Sequence, residues 1–335
     1  MARYDFASDN TCGMAPEALA SIAEFNDGYV AGYGADPVTA RAGDAIRALL
    51  DADVEVRFVY SGTAANALTL SWLARPFEAV LAHENAHIVD DEVGACEAFG
   101  GGMKIQRLPG PSGKIDPAAL QRVLDAPQQS RFHSLAALAL TNATEYGTVY
   151  TADEIAALTG PARARGLKTQ LDGARLASAA AGGFDLKRAK DIGLDIMVMG
   201  GTKAGMLTSE AVVFFDKSLA KGFDTRTKQV GQLPSKVRFM SGPWVGMLES
   251  GAWLARAAHA NAMAKKLAAE APFEPAHSVD ANGVFLKAPA EVIGRLNAAG
   301  WAIYPYIDGT ARLLCSWATT EEAVEEVVAA MRAAI

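Results

Sequence analysis

The chain has 335 residues, 50% hydrophobic and 21% charged, enough apolar material for a large core and roughly two domains. Its net charge of −7 excludes a general affinity for nucleic acid or anionic membrane, which requires clustered excess Lys and Arg. Three cysteines without CxxC spacing exclude a disulfide framework or a zinc cluster, and no window approaches the roughly 18 apolar residues of a spanning helix, so the cytoplasm is the expected compartment and no metal is expected.

In chain order, short apolar runs rich in β-branched residues predict strands at 56–60, 79–82, 104–108, 135–141, 168–171, 196–199 and 211–215. Segments of helical period separate several of them, at 63–73, 117–124, 152–165 and 186–192. This alternation is the signature of an α/β domain with a mostly parallel sheet of seven strands flanked by helices. From Pro243 the pattern changes. A long Ala-rich helix at 244–269 precedes strands at 284–287, 302–307 and 312–316 and helices at 289–299 and from 319, a smaller α+β domain. The predicted division is therefore 1–243 and 244–335.

Three stretches of the large domain carry chemistry. Strand residues Val59-Tyr60 run through Ser61-Gly62-Thr63 into a helix, whose free N–H groups, dipole and two hydroxyls suit a phosphate. No Lys follows as in a Walker A loop, and the GxGxxG dinucleotide pattern is absent. Seen alone, this is more often a capped turn. Asp172 and Arg175, in Leu171-Asp172-Gly173-Ala174-Arg175, stand at a strand end, where a carboxylate can orient a protonated ring nitrogen and a guanidinium can clamp a carboxylate. A helix cap and a surface ion pair would explain them equally well. Lys203, in Gly200-Gly201-Thr202-Lys203-Ala204-Gly205, follows a buried-looking strand among small neighbours, a setting that suits Schiff-base chemistry. A phosphate cradle, a carboxylate for a pyridinium and a strand-end lysine in one α/β domain are together what pyridoxal 5'-phosphate requires.

Beyond these, Phe6-Ala7-Ser8-Asp9-Asn10, Tyr33-Gly34-Ala35-Asp36, Gly62-Thr63-Ala64-Ala65-Asn66, Thr144-Glu145-Tyr146-Gly147-Thr148-Val149-Tyr150, Ala281-Asn282-Gly283-Val284-Phe285 and Arg312-Leu313-Leu314-Cys315-Ser316-Trp317 complete a pattern. Across nearly the whole chain it resembles the low-specificity L-threonine aldolases, pyridoxal phosphate enzymes of the aspartate-aminotransferase-like fold, type I. The resemblance implies a lyase that cleaves L-threonine, L-allo-threonine or related β-hydroxy-α-amino acids to glycine and an aldehyde. It also implies that Lys203 forms the Schiff base, Asp172 pairs with the pyridine nitrogen, and Gly62, Thr63 and Thr202 hold the phosphate. His87 would stack on the ring. Arg175, beside the cofactor, would hold the substrate carboxylate with Ser8 and Arg312, while Glu92 and His133 would lie near the substrate hydroxyl, with His87, His133 or a water as base. Gln170 and Ala204 depart from the family's frequent histidine and asparagine and bear on side-chain preference. Tyr33 and Tyr306 are candidates for the side-chain pocket, and Lys228 and Arg238 for reaching a phosphate across a subunit boundary, since the resemblance implies homo-oligomers, usually tetramers built from dimers. His83 reads as a supporting group, and His259 and His277 as structural. The rival readings are a β-eliminating lyase acting on a serine- or cysteine-type amino acid and a non-catalytic homologue that binds the cofactor.

Overall fold

A computed structural model describes residues 2–127 and 131–335. Seven strands, β1 (Glu55–Val59), β2 (Glu78–His83), β3 (Lys104–Leu108), β4 (Ser134–Thr141), β5 (Lys168–Gly173), β6 (Ile196–Gly200) and β7 (Glu210–Phe214), form one sheet in the order β1-β7-β6-β5-β4-β2-β3. Pairs from β3 to β6 are parallel, whereas β7 runs antiparallel to both β6 and β1. The centre of this sheet is covered on both faces, so β6 and β7 are buried at every position, as their continuous apolar runs require. Each predicted large-domain strand lies within a residue or two of an observed one. The segment read as a helix at 186–192 closes instead as a 3₁₀ turn, Leu186–Lys190, capped by Asp185.

Two helices precede the sheet. Pro16–Glu24 and Pro37–Leu50 both start on a proline, whose fixed φ and missing N–H suit a first turn, and Asp36 caps the second by accepting from the Thr39 N–H. The long helix expected over 244–269 is two helices, Arg238–Glu249 and Ala252–Glu270. They separate at Gly251, whose φ of 76° leaves the helical region, and Ser250 Oγ donates to the Gly246 carbonyl while accepting from the Ala252 N–H. Pro243 lies inside the first of them, next to Trp244, which packs in the large core with Trp253. Hydrophobic packing passes to the second core between Ala257 and Met263, so the expected boundary near residue 243 falls within the large core's own helix.

The second core is built on a three-stranded antiparallel sheet, β8 (Gly283–Leu286), β10 (Ala311–Leu314) and β9 (Tyr304–Pro305), with helices Ala290–Ala298 and Glu321–Ala333. The strand expected at 302–307 is only the pair Tyr304–Pro305. The N-terminal segment straps the two units together: Arg3 exchanges backbone hydrogen bonds with Gly300 and Ala302, Leu314 N–H donates to the Phe6 carbonyl, and the Phe6 ring lies in the second core.

Candidate active site

Registers place Thr141 beside Asp172, Asp172 beside Val198, and Val59, Glu210 and Gly200 abreast. The ends of β1, β4, β5 and β6 and the start of β7 therefore share one edge, where ligands bind in open α/β sheets. A cleft of about 420 Å³ opens there, inside the roughly 300–1,000 Å³ range of ligand pockets. Gly62, Thr63, His87, Glu92, Asp172, Arg175, Thr202 and Lys203, eight of the residues singled out in the sequence, line it. The close approach of β5 and β6 needs glycine at 200, because a Cβ there would collide with the Ala174 carbonyl.

At one end, the helix Gly62–Leu73 begins against the cleft. Ser61 is its cap and accepts from the Ala64 N–H at 3.2 Å, which leaves its own O–H to donate, while the first-turn N–H groups of Gly62 and Thr63 have no partner within the helix. One turn further in, Asn66 is buried on the same helix, and its amide organises the cleft floor. It donates to Asp172 Oδ2 and Glu92 Oε1, both at 2.8 Å, and its own oxygen accepts from Gln170 Nε2 at 3.0 Å. Asp172 Oδ1 accepts the Ala174 N–H at 2.9 Å, which fixes the carboxylate on both sides.

Glu92 was expected near the substrate hydroxyl. Its side chain is instead wholly buried and committed to Asn66 and to His87 Nδ1, 2.9 Å away. Hydrogen bonding to Glu92 pushes the His87 imidazole above its ordinary pKa, so the ring keeps its proton to higher pH. Facing this network is Lys203, partly buried, with no ion pair or hydrogen bond among the described residues. Its neighbour Thr202 accepts the Ser209 N–H, and the buried Glu210 accepts the Gly201 N–H at 2.8 Å. Burial raises the Glu210 carboxyl to about 7.

At the far side Arg175 makes a two-pronged ion pair with Asp9, at 2.7 and 2.9 Å, and Asp9 also accepts from Asn282. Burial opposes the Asp9 carboxylate, but Arg175 outweighs it and holds the group below its ordinary pKa. Buried pairs of this kind cost roughly 3–5 kcal/mol to break by removing one partner, which makes Asp9 and Arg175 a rigid unit. Arg312 is a second, half-buried guanidinium close to Arg175. Its Nη2 donates to the Ala7 carbonyl at 3.2 Å, it lies 5.7 Å from the Tyr306 ring centre, and it has no carboxylate partner among the described residues. Burial and the neighbouring Arg175 charge lower its pKa. Two adjacent guanidiniums, of which only Arg175 is paired with a carboxylate, leave a net positive charge that suits an anion.

The other expected residues lie elsewhere. Ser8 does not line the cleft, because its Oγ accepts from the Asn10 N–H at 3.2 Å; Asn10 lines it instead. His133 is exposed just before the start of β4, eight residues from Thr141 and so roughly 26 Å of extended strand from the cleft, at the opposite edge of the sheet. The strand period gives no reason to put it at the site; only the resemblance does. His83 accepts from the Asn85 N–H through Nδ1 and meets the Gly110 carbonyl through Nε2, which holds its ring in a supporting position. His259 meets the Thr319 carbonyl, and His277 joins Ser112 to Asp308, both structural links. Lys228 lies over the exposed Tyr33 ring at 4.0 Å and Arg238 donates to the Asp27 and Gly28 carbonyls, so none of these three side chains reaches the cleft of its own chain. Asn66, Asp9, Glu145 and Glu210 are cleft or supporting residues that sequence reasoning passed over. Asp9 and Asn66 did carry a signal, as polar residues inside the quoted motifs.

Comparison with known proteins agrees with this geometry. The beta-eliminating lyase family matches residues 5–290. A low specificity L-threonine aldolase from a Pseudomonas species is 43% identical over 335 residues, covering 98% of this chain and 97% of the relative. Its namesake from Pseudomonas aeruginosa is 42% identical over 334 residues, covering 98% and 96%. The chain belongs to the threonine aldolases of the beta-eliminating lyase family. Threonine aldolase from Leishmania major superposes with a TM-score of 0.91 at 31% identity over 98% of both chains. Aspartate aminotransferase from Thermus thermophilus, at 16% identity and a TM-score of 0.72, shares the fold, covering 97% of this chain and 89% of that one. This threonine aldolase is thus an α/β protein of the aminotransferase-like fold, as its sequence implied.

Proposed function

We propose that this threonine aldolase uses pyridoxal 5'-phosphate to cleave L-threonine and related β-hydroxy-α-amino acids to glycine and an aldehyde. The observation that carries the reading is the conjunction in one cleft of an unpaired lysine, a doubly anchored aspartate and free helix N–H groups. The donor set fits the cofactor. Gly62, Thr63 and Thr202 would hold its phosphate, Asp172 would pair with its ring nitrogen, His87 would cover its ring, and Lys203 would carry it covalently. When bound, the cofactor supplies a sink for the electron pair released at the substrate Cα.

The protein's own part is orientation. Only the Cα bond perpendicular to the electron sink breaks readily, so the groups that fix the carboxylate select the reaction. Arg312, free of any carboxylate, and Arg175, locked by Asp9, offer that clamp, and Asn66 keeps Asp172 facing the cleft. Asp172, as an anion, favours a protonated ring nitrogen beside it and so strengthens the sink. The β-eliminating rival has no separate observation in its favour. Incubating the protein with L-threonine is expected to give glycine and acetaldehyde in equal amounts, with little pyruvate and ammonia from L-serine; the reverse pattern would replace the aldolase by an eliminase.

Tyr60 lines the cleft and, with Leu207, an adjoining groove, so these two exposed side chains form an apolar patch at the cleft mouth. A second copy of the chain covering this patch, as a dimer within a tetramer, would bring Lys228 and Arg238 of one copy toward the phosphate end of the other. Light scattering is expected to give a multiple of the monomer mass, and a monomer at assay concentration would contradict the arrangement. No described helix is long and apolar enough to cross a membrane, and a cytoplasmic enzyme acting on a small amino acid is the corresponding proposal.

A further inference from the structure

Among the described residues, four buried side-chain polar atoms have no hydrogen-bond partner: Glu97 Oε2, Glu145 Oε2, Asn261 Oδ1 and Asn282 Oδ1. Only Glu145 belongs to a residue lining the large cleft. Its other oxygen, Oε1, accepts the His87 backbone N–H at 2.8 Å, and the Thr141 hydroxyl and Glu145's own N–H also favour the carboxylate, so the group is held in place at the cleft.

The loop that presents Glu145 is rigid. Asn142 closes it by exchanging two hydrogen bonds with the Tyr150 backbone, at 3.0 and 3.1 Å, and the Thr144 and Thr148 hydroxyls meet at 2.8 Å across its waist. Gly147 turns the chain at a φ of 75°, where a Cβ would crowd the Gly283 carbonyl. A buried, unpartnered carboxyl oxygen is costly, and a stiff loop that maintains it implies that a ligand group completes it.

A β-hydroxy-α-amino acid brings three polar groups. On the reading above, its amine goes to the Lys203 end and its carboxylate to Arg175 and Arg312. The hydroxyl remains, and among the described residues lining the cleft Glu145 Oε2 is the buried oxygen without a hydrogen-bond partner. The groups named from sequence for this task are otherwise engaged: Glu92 is buried under Asn66 and His87, and His133 lies at the opposite sheet edge. His87 Nδ1 is taken up by Glu92, whose hydrogen bond favours the protonated ring.

We infer that Glu145 is the general base of the cleavage, accepting the β-hydroxyl proton of the substrate on Oε2. This deepens the aldolase reading and rests on it. The proton passes to Glu145, the O–H pair becomes the second bond of the new carbonyl, the Cα–Cβ bond breaks, and its pair remains with Cα, which is then protonated to give glycine. No oxidant or reductant enters, and Glu145 returns its proton to solvent as the aldehyde leaves.

Burial raises the Glu145 carboxyl to about 7, opposed by the His87 N–H. A base must be ionised, so the cleavage rate rises with pH through that region. The charged and titratable groups facing it are Asp172 and Arg175 from the sheet edge, His87 with Glu92 behind it, Tyr146 and Tyr150 from its own loop, and Tyr306 from the small domain, with Arg312 beside that ring.

Glu145→Gln keeps size and the bond to His87 but cannot take the proton. The experiment compares three readouts on the cofactor-loaded variant: the visible cofactor band, exchange of the glycine Cα proton in D₂O, which involves no hydroxyl, and L-threonine cleavage across pH. Cleavage is expected to fall about 10²- to 10⁴-fold and to lose its rising limb near neutrality, while the band and glycine exchange persist. Glu145→Asp, which retains an ionisable carboxyl, is expected to recover part of the rate and the limb. Cleavage at the wild-type rate in Glu145→Gln would overturn the inference, as would a parallel loss of band, exchange and cleavage in both variants, which marks a structural role. A wild-type protein that exchanges glycine but cleaves no β-hydroxy amino acid would instead overturn the aldolase reading itself, and this inference with it.

Discussion

Lys203→Ala is expected to abolish covalent attachment of the cofactor and to lower L-threonine cleavage by roughly 10⁴- to 10⁶-fold, the range seen when a covalent catalytic nucleophile is removed. The size of the effect follows from the surroundings. Lys203 stands alone in the cleft, with no ion pair or hydrogen bond among the described residues and with small neighbours on either side at Gly201, Ala204 and Gly205, so its amine is free to reach a carbonyl held close to the backbone. Neither Glu210 nor Thr202 can replace an amine in that role. Loss should be confined to chemistry, because removing a partly buried side chain that makes no contact of this kind leaves the β6 and β7 packing intact. Measurement of the visible cofactor band and of turnover checks this, and a Lys203→Ala protein with wild-type turnover would contradict the assignment.

Asp172→Ala has the second largest expected effect. Asp172 is buried, and its two oxygens are fixed by Asn66 and the Ala174 N–H. Its removal takes away the negative charge opposite the ring nitrogen and leaves the Asn66 amide with one partner instead of two. Cofactor affinity should drop, and the cleavage rate should fall by roughly 10²- to 10⁴-fold at saturating cofactor, comparable to loss of a well-placed electrostatic or proton-transfer group. Asp172→Asn keeps the size and a single acceptor, enough for either Asn66 or the Ala174 N–H but not both, while losing the charge. Both variants should be compared by cofactor titration and by rate. Wild-type affinity and rate in Asp172→Ala would remove its part in the site.

Most of what positions the site was written locally. β6 and β7 show as apolar runs because they are buried at every position, and Asp172 and Lys203 show as polar residues at or just beyond the ends of predicted strands. Packing decisions were not written locally. Nothing in the composition of β7 distinguishes an antiparallel neighbour from a parallel one, since a strand buried on both faces reads the same in either direction. The break at Ser250-Gly251 hides in an Ala-rich stretch of helical period, and it is Gly251 at positive φ that ends one helix and begins the next. Pro16 and Pro37, each at the start of a helix, and the Asp36 cap were available signals for the N-terminal helices.

Within the site, the missed residues act through partners far away in sequence. Asp9 reaches Arg175 across 166 residues, and Asn66 reaches Asp172 across 106. Glu145 is a carboxylate within a quoted motif, yet its unpartnered oxygen is a property of the folded loop and could not be read from the motif. His133 shows the converse: a histidine suits base chemistry by type, but the β4 strand carries it to the wrong edge.

The most direct test is to locate the cofactor bond. Borohydride reduction of the cofactor-loaded enzyme, proteolysis and mass spectrometry are expected to place the pyridoxyl label on Lys203 alone, in a protein that cleaves L-threonine before reduction and not after it. A label on another lysine, or full activity after reduction with no label at all, would contradict the account.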